Sequence, residues 1–148
     1  MSKPQSDTLK LVAQNPDDLT VISALLQDMV IRVGDIAWLP EEKRFAAVGN
    51  RYRWEKKRLF RKPKGERIRT GFHFSGVNSA QLSGIDLSEK ESFLELLSVE
   101  AVESDAGFIV ILNFAGGPAI KLAVEAIDAV ASDLSEGWEA IARPTHSL

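Results

Sequence analysis

The chain reads as an α+β fold: one N-terminal amphipathic helix packed on a bent antiparallel sheet, or half-barrel, of about seven or eight strands. Three observations predict this. A stripe of apolar residues at three- and four-residue spacing occurs early, behind a good helix start. After it, apolar and polar residues alternate with period two, between clusters of Gly, Pro, Asp and Asn. The 148 residues, 45% of them apolar, suit one domain spanning residues 1–148, long enough to bury a core unaided.

Residues 1–7 are polar and predict a frayed tail, and residues 9–13 a short strand. In Asn15-Pro16-Asp17-Asp18, Asn15 suits a cap and Pro16 the first helical position. The two acids suit the positive end of the helix dipole. Leu19, Ile22, Leu26 and Met29, widened by Leu25, predict a helix over 16–28 with one buried face. Met29, Ile31 and Val33 then alternate, and the large residues change parity to Ile36 and Trp38. The shift predicts a bulge at Gly34-Asp35.

Pro40 to Lys43 is a turn, and 44–54 is the returning strand. Pro63 and Gly65 break residues 55–66 into a long, exposed basic loop. Strands resume at 67–75 and 77–82. Ser88 with Glu91 resembles a capping box, predicting a short helical turn before a strand over 97–103. Residues 108–114 are almost wholly apolar, as in a strand covered on both faces. After Gly116-Gly117-Pro118 the chain returns over 119–124, and 126–131 continues that strand past a bulge. A closing helical turn over 135–140, with Trp138 as an apolar plug, and a tail over 143–148 complete the reading. Residues 29–88 and 96–135 echo one another, a pattern that fits two three-stranded meanders in a pleckstrin-homology-like or split-barrel arrangement.

The net charge of -3 hides a strong polarity. Residues 43–69 carry twelve basic side chains against Glu55 and Glu66, or +10, and the rest of the chain carries -13. Such segregation concerns partners rather than fold. In the strand 44–54, Arg51 and Arg53 share one face, and Tyr52 and Trp54 the other. In 67–75, Arg67, Arg69 and His73 oppose Ile68, Thr70, Phe72 and Phe74. With Tyr52 and Trp54 aligned to the apolar face, four arginines and His73 converge. Like charges facing each other in a sheet destabilise it, so a compensating anion is expected.

One candidate anion is phosphate, which the planar guanidinium holds bidentately. Arg51, Arg53, Arg67 and Arg69 would grip it. Lys56, Lys57, Arg58, Arg61, Lys62 and Lys64 would track a nucleic-acid backbone, with Phe60 stacking on a base. Against this, the pI of 5.4 is low for a nucleic-acid module. The alternatives are a solvated hairpin neutralised by Glu100, Glu103 or Glu125, and a hairpin docked on an acidic protein or a second copy of the chain.

Other chemistries have little support. Cysteine is absent, which removes disulfides and thiolates. No cluster has metal-ligand spacing, and no cofactor motif or catalytic constellation stands out. His73 is the one acid–base candidate for a small enzyme. The longest aliphatic and aromatic run, Phe108 to Leu112, has five residues, against about 20 for a membrane span. With a polar N-terminus, this predicts a cytoplasmic protein without membrane contact.

Several strings occur together in a characteristic order: Leu9-Lys10-Leu11-Val12-Ala13, Leu39-Pro40, Lys43-Arg44-Phe45, Asn50-Arg51-Tyr52-Arg53-Trp54-Glu55, Arg69-Thr70-Gly71-Phe72-His73-Phe74 and Phe114-Ala115-Gly116-Gly117. On them the whole chain resembles a family of small alphaproteobacterial proteins, domain of unknown function 2948. The resemblance implies a bacterial, cytoplasmic protein. It brings no activity, cofactor or site residue with it.

Overall fold

The computed structural model describes residues 9–54 and 65–134. The strand β1 (Lys10–Ala13) leads into the helix α1 (Pro16–Leu26). The Asn15 side chain accepts the Asp18 amide at 2.8 Å, and the Asp18 carboxylate accepts the Gln14 amide at 3.2 Å. The helix ends two residues earlier than expected. Asp28 adopts a left-handed φ of 69° and gives its amide to the Leu96 carbonyl at 2.7 Å. Met29 is fully buried, as expected of the stripe, but from beyond the helix.

Eight further strands follow: β2 (Val30–Leu39), β3 (Arg44–Trp54), β4 (Gly65–Ser75), β5 (Val77–Ser83), β6 (Phe93–Ser104), β7 (Gly107–Phe114), β8 (Ala119–Val124) and β9 (Ala129–Asp133). Every pairing is antiparallel, in the order β1-β9-β4-β3-β2-β6-β7-β8-β5. Among the described residues this one open sheet has nine strands, more than expected, with β1 and β5 at its edges. Its order reads symmetrically outward from the β2–β6 pair: β3, β4, β9 on one side and β7, β8, β5 on the other. The two meanders of the sequence echo are β2-β3-β4 and β6-β7-β8. Each then sends its next strand to the other: β5 pairs with β8, and β9 with β4.

That exchange corrects the reading of 126–131. The chain bends after Val124, buries Ile127 at the corner, and starts a separate strand beside β4. The Asp128 carbonyl accepts the Ser75 amide at 2.9 Å there. The expected helical turn after Ser88 is also absent. Ser88 gives both its amide and its hydroxyl to the Asp86 carboxylate (2.9 and 2.7 Å), a local turn that competes with a helix cap. β6 accordingly begins at Phe93 rather than 97. Expectations for 1–7, for 55–64 and for 135–148, including the closing helical turn, lie outside the described residues.

The parity change in β2 is a wide bulge. Ile31 pairs with Gly49 and Ile36 with Ala47, so residues 32–35 stand opposite Val48 alone. A second bulge, in β6 between Leu96 and Ser98, moves Val99 inward. The Val99 amide is then satisfied by the Ser23 hydroxyl of α1 at 2.9 Å. One apolar core joins both meanders to Leu19, Ile22 and Leu26 of the helix. No helix among the described residues is long and apolar enough to cross a membrane.

Candidate anion-binding face and its buried clamp

The β3–β4 register decides which side chains meet. Phe45 pairs with Phe74, Ala47 with Phe72, Gly49 with Thr70 and Arg51 with Ile68. These pairs form the inward face, since directly opposed residues share a side of the sheet. Gly49 lies there because a Cβ would stand 2.4 Å from the Val30 carbonyl. The alternate face carries Asn50 opposite Arg69 and Tyr52 opposite Arg67. Four arginines therefore do not converge. Arg51 points to the interior, on the opposite side from Arg67 and Arg69. The apolar parity of this strand is that of Phe45 and Ala47, and Tyr52 lies on the other one.

Arg51 is 3% exposed and pairs with Asp133 at the end of β9. Its Nε donates to Oδ1 and its Nη2 to Oδ2, both at 2.9 Å. The Thr70 hydroxyl donates to Oδ1 and the Leu9 amide to Oδ2, again at 2.9 Å. One carboxylate thus ties together β3, β4, β9 and the start of β1. The Asp133 amide returns a bond to the Leu9 carbonyl at 2.9 Å, and Leu134 donates to the Arg69 carbonyl at 3.0 Å. Burial opposes the Asp133 charge. The bonds from Arg51, Leu9 and Thr70, with the Arg51 charge, outweigh it and hold the carboxyl below its usual range.

On the outward face, Arg69 reaches the Asp35 carboxylate at 3.7 Å. Asp35 sits in the β2 bulge, its side chain 6% exposed, and also receives Arg32 at 3.3 Å. Arg32 extends to Glu91 at 3.2 Å and to the Lys90 carbonyl at 3.4 Å. The hydrogen bond to Asp35, then its charge, raises the Arg32 pKa. Arg67 is exposed and lies over Tyr52, with its guanidinium carbon 5.0 Å from the ring centroid and Nη2 3.2 Å from the hydroxyl. This holds a cation at the root of the hairpin.

His73 is half-buried between Ala46 and Val130 on the outward face. Burial lowers its pKa, the charge of Arg44 lowers it further, and Asp128 partly opposes both. Its Nδ1 has no hydrogen-bond partner among the described residues. Burial and Arg44 thus both disfavour the charged imidazolium.

Arg51 and Arg69 pair with acids other than those expected. Glu103 and Glu125 are exposed, and Glu100 accepts the Asn113 side-chain amide at 2.8 Å. The partners are Asp133 and Asp35, which sequence reasoning missed. Asp133 had a signal: it falls on the inward parity of Ala129 and Ala131, where an acid requires a cation. Arg51 sits likewise on the parity of Phe45, Ala47 and Gly49. Of Arg53 the backbone register alone is described, opposite Glu66. Lys56, Lys57, Arg58, Phe60, Arg61, Lys62 and Lys64 lie outside the described residues. Among the described residues, no group of three His, Asp or Glu is placed to hold a metal ion.

Comparison with known proteins adds one finding. No curated protein and no solved structure matches the chain. A family model does, over residues 9–146, so that β1, the clamp and the hairpin all fall within it: the chain belongs to the family described as protein of unknown function (DUF2948).

Proposed function

We propose that the protein is a non-enzymatic binding domain whose basic β3–β4 hairpin holds a phosphate-bearing ligand, with nucleic acid as the leading case. The observation that carries this reading is charge segregation: +10 over residues 43–69 against -13 elsewhere. Within that segment, Arg51 and Arg69 have acidic partners in the chain, Asp133 and Asp35. They brace the hairpin rather than grip a ligand. Arg67, exposed on Tyr52, is the described cation best placed for contact. Arg53 and the basic residues from Lys56 to Lys64 supply most of the remaining charge, and Phe60 a stacking surface.

The test is a titration of the protein with single-stranded RNA, duplex DNA and inorganic polyphosphate at rising salt. Binding should weaken steeply, with a log–log slope of about -0.9 per phosphate neutralised on duplex DNA. Arg67→Glu with Lys62→Glu should abolish it while leaving the clamp untouched. Polyphosphate competing as well as nucleic acid would reduce the reading to phosphate recognition alone. Affinity insensitive to salt or to charge reversal would end it, and would favour docking of the hairpin on an acidic protein.

A further inference from the structure

The Arg67–Tyr52 stack is one end of a wider surface. Residues two apart in a strand share a side of the sheet, and so do residues directly opposed across a pair. Tyr52 therefore shares the outward face with Asn50. Asn50 stands opposite Val30, and Val30 opposite Glu95. Two residues further on, Phe93 stands opposite Arg32. The outward face of β3, β2 and β6 thus runs from Tyr52 to Phe93, which strand geometry sets roughly 17 Å apart.

Phe93 is 64% exposed, although its strand buries Leu96 fully. The ring stands beside Arg32 and Glu95 rather than among apolar side chains, unlike the centre of a protein interface. At the other end, the exposed Arg67 holds its guanidinium over the Tyr52 ring. A nucleobase stacks on a guanidinium plane as it does on an aromatic ring. Between the two ends, Asn50 offers an amide and Glu95 an acceptor, groups that read base edges. Charge decides what else fits. Along this run Arg32, Arg67 and Arg69 are balanced by Asp35, Glu91 and Glu95. The face therefore suits bases, and the +10 hairpin next to it suits phosphates.

We infer that the ligand is single-stranded nucleic acid, its backbone on the basic hairpin and its bases laid across this face. One base stacks on Arg67 and another on Phe93. The inference rests on the anion-binding reading and narrows it to one ligand class. A duplex keeps its bases stacked on each other and turns its phosphates outward. It gains the hairpin but neither stack, and the carboxylates of Glu91 and Glu95 repel its backbone from the sheet.

The test compares a single-stranded RNA of mixed sequence, a DNA duplex and inorganic polyphosphate as probes of the full chain. The wild type should bind the RNA more tightly than the duplex. Phe93→Ala should weaken RNA binding about tenfold or more and leave the polyphosphate affinity unchanged. Phe93→Trp should keep the RNA affinity, and its added fluorescence should be quenched by the RNA. Val102→Ala, at an exposed apolar position further along β6, should bind as the wild type does. Phe93 is exposed, so the thermal midpoint of its variants should stay near that of the wild type. In the wild type itself, the amide resonances of 93–95 should shift with RNA and not with polyphosphate, which decides the matter even if a variant fails to fold. Unchanged RNA affinity in Phe93→Ala, an equal loss for RNA and polyphosphate, or a duplex that binds as tightly as RNA overturns the inference and leaves the anion-binding reading standing. Absence of binding to all three probes overturns both.

Discussion

The two halves of the sheet share a topology and differ in what they bury. In β7 and β8 the inward residues are Val110, Leu112, Phe114, Ile120, Leu122 and Val124, all apolar. In β3, β4 and β9 the inward rows begin as Phe45, Phe74 and Ala129 but end in Arg51, Thr70 and Asp133. The inward rows of one half are apolar throughout, and those of the other are finished by a polar lock. The lock lies at the root of the basic hairpin. The difference teaches that the fold needs alternation and turns, whereas the buried ion pair is confined to the end of β3, β4 and β9.

The largest effect expected is the loss of one clamp partner. Arg51→Met leaves Asp133 buried without its cation and should cost about 3–5 kcal/mol in urea denaturation. Arg51→Met with Asp133→Leu should recover most of that loss, because no charge is then stranded. Leu122→Ala, in the apolar half, should cost about 2–5 kcal/mol and find no such second-site rescue. Failure of the double variant to recover would mean that the lock positions strands rather than merely balancing charge.

Close backbone approaches compare the halves at the next scale. Gly49→Ala puts a Cβ 2.4 Å from the Val30 carbonyl. Gly107→Ala puts one 2.3 Å from the Val124 carbonyl at a φ of 140°. Each should destabilise by about 1–3 kcal/mol, with Gly107 the worse because its backbone angle is strained as well. Equal costs would show that the β6–β7 turn relaxes.

Acid should discriminate the halves too. The Asp133 carboxyl is lowered from an ordinary 3.8, so the unfolded chain takes up that proton first. Its stabilisation is complete above the ordinary value and is lost as pH falls through the lowered one. His73 is lowered from 6.5. Between its lowered value and 6.5 the unfolded state again holds the extra proton, so stability falls as pH drops below 6.5. His73→Gln should flatten the upper part of the pH–stability curve, and Asp133→Asn the lower part. An NMR midpoint for His73 at or above 6.5 would contradict the burial argument. The smallest effect should be that of Arg67→Ala, less than about 1 kcal/mol for an exposed cation on Tyr52. If Arg67 serves binding, its removal shows in the salt titration and barely in the melt.

Much of the architecture was legible beforehand. The helix start at Asn15-Pro16 works through local capping, and the β2 bulge is a parity change visible in Ile31, Val33, Ile36 and Trp38. The bounds of β3 and the echo of two meanders were legible for the same reason: turns and alternation act between near neighbours. The candidate site was less legible. Tyr52 and Trp54 suggested the wrong apolar face for β3, because two aromatics near a strand end say less than the row of Phe45, Ala47 and Gly49. The β6 bulge was missed because Leu96 and Leu97 hide which of them turns inward.

By itself, then, the sequence determined the antiparallel class, the N-terminal helix, most strand bounds and the concentration of positive charge in residues 43–69. These follow from the period of the side chains and from local backbone preferences, which need no distant partner. The tertiary structure alone decided that β9 crosses to β4, that Asp133 meets Arg51 across 82 residues of chain, and that Asp35 receives Arg32 and Arg69. It also put β5 at an edge of the sheet among the described residues. Those outcomes depend on the register between strands far apart in the chain, and each is selected by burying the whole apolar face at once.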